Sequence, residues 1–201
     1  AAREEIPGRR GYPGYMYSDL AELYERAGCI AGIPGSVTQI PIITMPDDDM
    51  THPVVDLSGY ITEGQIVLDR RLRERGVYPP IDVLPCLSRL MNKGIGRGKT
   101  FPEHRALADQ MYASYARARE VERMRLIVGD DGLSPVERIY LEFGSLFEKR
   151  FLAQGQARRS LAESEKAAWE CLKILPREEL FKLPEVYVVE NAGYPSSEEG
   201  P

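Results

Sequence analysis

The sequence is poor in the residues from which self-sufficient catalytic and metal centres are built. Histidine occurs twice, at His52 and His104, with neither near the other in the chain, and tryptophan once. Three cysteines, Cys29, Cys86 and Cys171, are widely separated and odd in number, a pattern that favours reduced thiols of a cytosolic protein over a disulfide framework or a zinc site. No apolar run approaches the ~20 residues that a membrane span needs. The first residues also lack the charged-then-apolar pattern of a signal peptide. Positive charge is not in excess: 26 Lys and Arg against 31 Asp and Glu leave a net charge of −5 and a pI near 5.3, which gives nucleic acid no bulk attraction. The densest acidic run, Asp47-Asp48-Asp49, lacks the alternating oxygen donors and distal glutamate of a calcium loop, so it reads as a solvated acidic loop facing a neighbouring chain.

What is present is a chain of 201 residues, 43% of them hydrophobic, enough for one domain or two small ones with a real core. The pattern is organised around Tyr60 to Met91. Gln65 to Leu68 is a short apolar run after Gly64 and reads as a buried strand. Asp69 can cap a two-turn helix rich in arginine (Arg70, Arg71, Arg73, Arg75), which Gly76 stops. Pro79, Pro80 and Pro85 then force extended, turning backbone, which routes the chain across a surface and holds Ser88-Arg89 on a stiff segment between Leu87 and Leu90.

The motifs of this stretch resemble those of the non-catalytic B subunit of the V/A-type rotary ATPases. The residues that carry the likeness are G-Y-I-T-E-G-Q-I, G-V-Y-P-P-I-D and L-P-C-L-S-R-L-M, preceded in the right order by R-E-E-I-P-G-R-R-G-Y-P-G-Y-M-Y and M-P-D-D-D-M-T-H-P. The resemblance covers nearly everything from Ala1 to about Leu180. It implies an α/β chain: a partial RecA-like sheet of the P-loop NTPase type, followed by a C-terminal α-helical bundle. It also implies that Arg89 is an arginine finger acting in trans, with Ser88, Tyr60 and Pro85 at the interface near the nucleotide. ATP or ADP with Mg would sit at that interface, and the chain alone would bind no cofactor. The implied partners are a catalytic A subunit in an alternating ring, a central rotor stalk and a peripheral stalk, with the complex coupling ATP turnover to proton or sodium transport. The implied location is peripheral, on the cytoplasmic side of a membrane. Cys86 departs from the family, which usually has a small hydroxyl residue there. The family's nucleotide-binding domain begins well upstream of Ala1, so the chain is expected to be a C-terminal portion of a subunit.

Residues 1–99 are therefore expected to form the second half of a nucleotide-binding domain, residues 100–183 a helical domain, and residues 184–201 a disordered tail. Within the first, Ser18 or Asp19 should cap a helix through Ala27 that Gly28 stops. Gly32 to Gly35 should make a hairpin-like turn, and Val37 to Thr44 should be a strand covered on both faces. From Thr100 on, the period is helical. Thr100/Glu103, Ser134/Glu137 and Ser160/Glu163 match capping boxes. Leu107, Met111 and Tyr115 form one apolar stripe, Val136 to Phe147 a second and Leu161 to Leu175 a third, with a break expected near Arg117 to Glu120.

Two other functions have a foothold in the residues. Gly94-Ile95-Gly96-Arg97-Gly98-Lys99-Thr100 ends like a phosphate-binding loop and would suit a small independent NTPase. Position 93, however, is Lys93 rather than glycine, and no clear strand precedes the loop, so it reads as a hinge. Arg9, Arg10, Tyr12, Tyr15 and Tyr17 surround a Gly/Pro loop and could stack on RNA bases or bind protein, against the chain's acidic balance.

Overall fold

The computed structural model describes residues 8–194, and the chain divides into two compact units, Ala1–Gln65 and Ile66–Pro201.

In the first unit a 3-10 turn (Arg9–Gly11) precedes helix α1, Met16–Tyr24. The helix starts before the expected Ser18 or Asp19 cap. Met16 N–H already bonds Pro13 C=O at 3.2 Å, so winding begins as soon as the proline turn ends, with Tyr15 as an N-cap that contributes no side-chain bond. The helix also stops three residues short of Ala27. An antiparallel bridge between Gly28 and Val37 closes the glycine turn as expected. Beyond Val37 the expected strand does not form. The backbone through Thr44 has no regular ladder, and Ile40 and Ile42 are 84% and 95% exposed. A strand needs a neighbour alongside for both its hydrogen bonds and its cover, and the described residues supply neither here.

A 3-10 turn (Pro46–Asp48) leads to α2, Pro53–Ile61, whose first turn carries a proline and is capped by the His52 ring accepting from Val54 N–H. Tyr24 Oη lies 3.0 Å from Ser58 Oγ and joins the two helices. Among the described residues, regular strand is limited to two-residue pieces, β1 (Gly64–Gln65) and, in the second unit, β2 (Leu87–Ser88). The run after β1 is not the buried strand expected from its composition: Ile66 and Leu68 are 75% and 56% exposed.

The second unit opens with α3 (Arg70–Glu74) and α4 (Met91–Gly94), and its mass is a bundle of α5 (His104–Val128), α6 (Pro135–Leu146) and α7 (Leu161–Leu172). The capping boxes Ser134/Glu137 and Ser160/Glu163 both form. The Thr100/Glu103 box does not, because α5 begins at His104 with Glu103 as a cap that makes no side-chain bond. Nor does α5 break: it runs through Arg117 to Glu120, with Ala118 and Val121 buried and continuing the stripe of Leu107, Met111 and Tyr115. Gly144 of α6 faces Ala118, where an added Cβ would come within 3.1 Å, so the missing side chain lets α5 and α6 approach closely. After α6 the chain widens into a π-helical turn, Phe147–Leu152, which carries Phe147 into the core against Phe143 and Tyr115.

Gln110 is fully buried and fully bonded. Its amide nitrogen donates to Ser114 Oγ and Glu179 C=O, both at 2.9 Å, and its oxygen accepts from Lys182 N–H at 2.9 Å. The segment expected to be tail from residue 184 is folded in its first part. A short helix α8 (Glu185–Tyr187) and a π-helical turn (Val188–Ala192) bury Val188, and the Tyr194 hydroxyl donates to Leu175 C=O at 2.6 Å. The rest of that segment, 195–201, lies outside the described residues. Among the described residues no helix is long and apolar enough to cross a membrane.

Candidate functional site

Asp69 fixes the start of α3 as its sequence position suggests. Its carboxylate accepts from Arg71 N–H at 2.8 Å and from the Arg71 guanidinium at 2.8 Å, and those bonds hold its pKa below the usual carboxylate range. Gly76, at φ 82°, ends the helix in a backbone region open to glycine. The Tyr78–Pro79 peptide is cis. The chain then runs back antiparallel to the segment before α3. Asp69 N–H donates to Pro80 C=O, Leu68 bridges Ile81, and Asp82 N–H donates to Val67 C=O, the two hydrogen bonds each at 2.9 Å.

Two side chains fasten the next stretch of backbone. The Tyr112 hydroxyl of α5 donates to Leu84 C=O at 2.8 Å. The Cys86 thiol accepts from Val67 N–H at 3.2 Å and donates to Asp82 C=O at 3.0 Å. Val83 and Leu84 pack against the helical core. Pro85 is half-buried, and then the chain emerges: Leu87, Ser88, Arg89 and Leu90 are all exposed, Leu87 and Leu90 by 47% and 45%. Pro85, Ser88 and Arg89 thus lie on one segment anchored from below. Tyr60 belongs to the first unit, on α2, and is 74% exposed.

The second unit also holds a cleft of about 300 Å³ lined by Arg71, Arg75, Asp82, Tyr115, Arg119 and Glu122, among others. Arg71, Arg75 and Arg119 are each tied to carboxylates. Arg75 pairs with the buried Glu148 at 2.7 Å, and Tyr115 Oη donates to the same carboxylate at 2.9 Å. Arg119 pairs with Glu122 and lies 3.9 Å from Glu148. Burial, then the Glu148 charge, raises the Tyr115 pKa, so the phenol stays protonated and donates. This network joins residues from 75 to 148, and nothing local in the sequence announces it.

The Gly94 to Thr100 loop lacks the geometry of a phosphate cradle. A helix, α4, precedes it. The Thr100 hydroxyl accepts from Gly96 N–H at 2.8 Å, and the Lys99 ammonium donates to Lys93 C=O. The groups that would face a phosphate are engaged with their own loop. In the first unit the Arg/Tyr loop is similarly engaged: Arg10 pairs with Asp49 at 2.6 Å and donates to Thr51 Oγ1 at 2.9 Å, and Tyr12 Oη lies 2.7 Å from His52 Nε2. The Thr51 hydroxyl and then Arg10 hold the Asp49 pKa at about 2. These pairings across about forty residues also escaped sequence reasoning; the only signal was the proximity of Arg, Tyr, Asp and His to glycine- and proline-rich turns.

Comparison with known proteins covers nearly all of the described chain. Residues 1–88 match the ATP synthase alpha/beta family, nucleotide-binding domain, and residues 93–192 match the C-terminal domain of V and A type ATP synthase. The V-type ATP synthase beta chain of Anaeromyxobacter sp. (strain Fw109-5) is 62% identical over 183 residues, covering 91% of this chain and 40% of that protein. The B subunit of the A-type ATP synthase of Aeropyrum pernix is 58% identical over 186 residues, covering 92% of this chain and 40% of that protein. Among solved structures, the ATP synthase subunit NeqB of Nanoarcheaum equitans superposes with a TM-score of 0.74 at 45% identity, over 86% of this chain and 42% of that one. The chain spans about two fifths of the length of these relatives. On two contiguous domain matches and identities of this size, the chain belongs to the V/A-type ATP synthase beta, or B, subunit family.

Proposed function

We propose that this chain serves a V/A-type ATP synthase as part of a non-catalytic B subunit, and that Arg89 acts on nucleotide bound by a neighbouring catalytic subunit. The observation that supports the reading most is the setting of Arg89, exposed between exposed leucines on a segment moored to the helical unit beneath it. An arginine so placed can present a planar, permanently charged fork to phosphate oxygens across an interface. Ser88 and Pro85 shape its approach, and Tyr60 contributes a second exposed contact. ATP or ADP with Mg would be held by the partner, in an alternating ring whose fold is RecA-like, against a central rotor and a peripheral stalk. The guanidinium would neutralise charge developing on the transferred phosphoryl group, so that ion transport is coupled to turnover in the partner's site. The subunit itself would sit peripherally on the cytoplasmic side and hydrolyse nothing alone. The readings as an independent NTPase or an RNA-binding module draw no support from their loops, whose key side chains are satisfied internally.

The test is Arg89→Ala in the full-length subunit assembled with its catalytic partner. Turnover should fall by on the order of 10³–10⁵, equivalent to ~4–7 kcal/mol of barrier, with a much smaller change in nucleotide affinity. Arg89→Lys should restore only part of the loss, because the charge returns without the fork. Turnover within a few-fold of the parent in Arg89→Ala would reduce Arg89 to an ordinary interface residue.

A further inference from the structure

We infer that Glu103 and Glu165 share a proton and form a pH-sensitive clasp between the start of α5 and α7, closed in acid and released when the proton is lost.

Glu103 stands at the N-cap of α5, where an acidic side chain ordinarily accepts from the first backbone N–H groups of the helix. It makes no such bond. The residue is buried, at 8% exposed, and its carboxyl is hydrogen-bonded to that of Glu165, a half-buried residue in the second turn of α7. Two ionised carboxylates offer only acceptors, so a hydrogen bond between them requires that one carries a proton. No cation among the described residues takes the place of that proton. His104, beside Glu103, stacks on Phe101 at 4.4 Å with its Nδ1 3.1 Å from Thr100 Oγ1, and burial lowers its pKa, which favours the neutral ring. Arg105 pairs with Asp109 at 3.7 Å, and Arg159 donates to Ser164 Oγ and Phe151 C=O. On α7 itself Glu163 is held by Ser160, while Lys166 and Glu170 are exposed. The elements packed against α7 bring Glu148, engaged with Arg75 and Tyr115, Glu137, bonded to Ser134, and the exposed Arg138, Glu142, Lys149, Arg150 and Glu190. The charge that acts on Glu165 is that of Glu103.

Burial, then the bond to Glu103, raises the Glu165 pKa, so Glu165 donates and Glu103 accepts. The tie is therefore fully present below the ordinary glutamate pKa and is lost as pH rises through the raised folded value. Beyond that point two like charges face each other, one of them on a buried residue, and the first turn of α5 gains by parting from α7. The Glu103 position thus gives up an ordinary cap, which works at any pH above the carboxyl range, for a contact that works only while a proton is held.

The experiment uses the full chain as parent, Glu165→Gln, Glu103→Gln and the control Glu170→Gln, which removes an exposed charge from the same helix. Infrared titration of the parent should show a protonated carboxyl that persists about one pH unit above the ordinary glutamate pKa. That band should vanish in Glu165→Gln, move to lower pH in Glu103→Gln and remain in Glu170→Gln. Amide exchange of residues 103–107, corrected for its intrinsic pH dependence, should quicken on the order of 10-fold from acid to about pH 8 in the parent and the control. In Glu165→Gln it should vary by less than about two-fold, because the amide donates to Glu103 at every pH. Should that variant not fold, Glu103→Gln, which supplies a donor from the other side, reads the same response. No persisting protonated carboxyl in the parent would overturn the inference whatever the variants do. A persisting band that Glu165→Gln leaves intact would also overturn it, as would a parent-like pH response of exchange in the glutamine variants.

Discussion

Ile42 and Phe143 are both large apolar side chains in stretches whose pattern predicts burial, yet the first is 95% exposed and the second 0%. The contrast extends to the units that contain them. Among the described residues of the first unit no hydrophobic side chain is buried, and Ser58 is the one buried residue, whereas the second unit holds a continuous core from Leu107 to Val188. A helix satisfies its own backbone and needs only another helix against its apolar stripe, which α5, α6 and α7 provide for one another. A strand must borrow both hydrogen bonds and cover from segments beside it. The same chain therefore completes its helical region with its own residues and leaves Val37 to Thr44 without a sheet.

The sharpest way to break this comparison is to truncate one side chain in each unit. Phe143→Ala should destabilise the chain by about 3–5 kcal/mol, since it empties a fully packed site, while Ile42→Ala should change stability by no more than ~0.5 kcal/mol. Denaturant unfolding followed by far-UV circular dichroism reads both. Equal effects would mean that Ile42 is buried in solution.

A second contrast lies in how carboxylates respond to pH. Asp49, half-buried, has its pKa lowered from 3.8 to about 2 by Thr51 and Arg10, so its contribution is present above the unfolded value and is lost as pH falls through about 2. Glu165 behaves oppositely. Burial first, then its hydrogen bond with the buried Glu103, raises its pKa, so its contribution is present at low pH and is lost as pH rises through the folded value. Glu165→Gln should therefore be neutral or stabilising at pH 8 and flatten the pH dependence of the second unit's melting. Carboxyl resonances followed by pH titration should show Asp49 still ionised at pH 3. A destabilised Glu165→Gln at pH 8 would show that the glutamate is needed as a charge.

The smallest test leaves stability untouched and compares thiols. Cys29 in the first unit is exposed, whereas burial pushes the Cys171 pKa up to about 12. A soluble disulfide reagent should label Cys29 at once and Cys171 only on unfolding, because the thiolate is the reactive form. Rapid labelling of Cys171 in the native chain would mean that the core opens locally.

The helical region was legible in the sequence because its signals are local. Ser134/Glu137, Ser160/Glu163 and the stripe of Leu107, Met111 and Tyr115 each lie within a few turns of helix, and all appear as read. Asp69 and Gly76 bounded α3 for the same reason. Composition failed where partners decide the outcome, as at Val37 to Thr44, and where proline turns shift a helix start, as at Met16. In the candidate site, the motif around Arg89 was visible as a string of residues. Its support was not: Tyr112 reaches Leu84 across 28 residues and Cys86 joins Val67 across 19, and neither distance carries a periodic signal.

Gln110 has a consequence for how the molecule withstands damage. Its one amide group splices the second turn of α5 to the backbone of Glu179 and Lys182, 69 and 72 residues further on. A protease nick or frameshift that removed the chain after Leu175 would strip no residue from α5. It would nevertheless take from that amide both of its partners beyond Leu175, leaving one N–H and the carbonyl oxygen to bond water or to cost on the order of 1–3 kcal/mol each where water does not reach. The turns around Glu179 and Lys182 are thus a keystone set from the far end, and a truncated molecule would be weakened in the early turns of α5 that they cover.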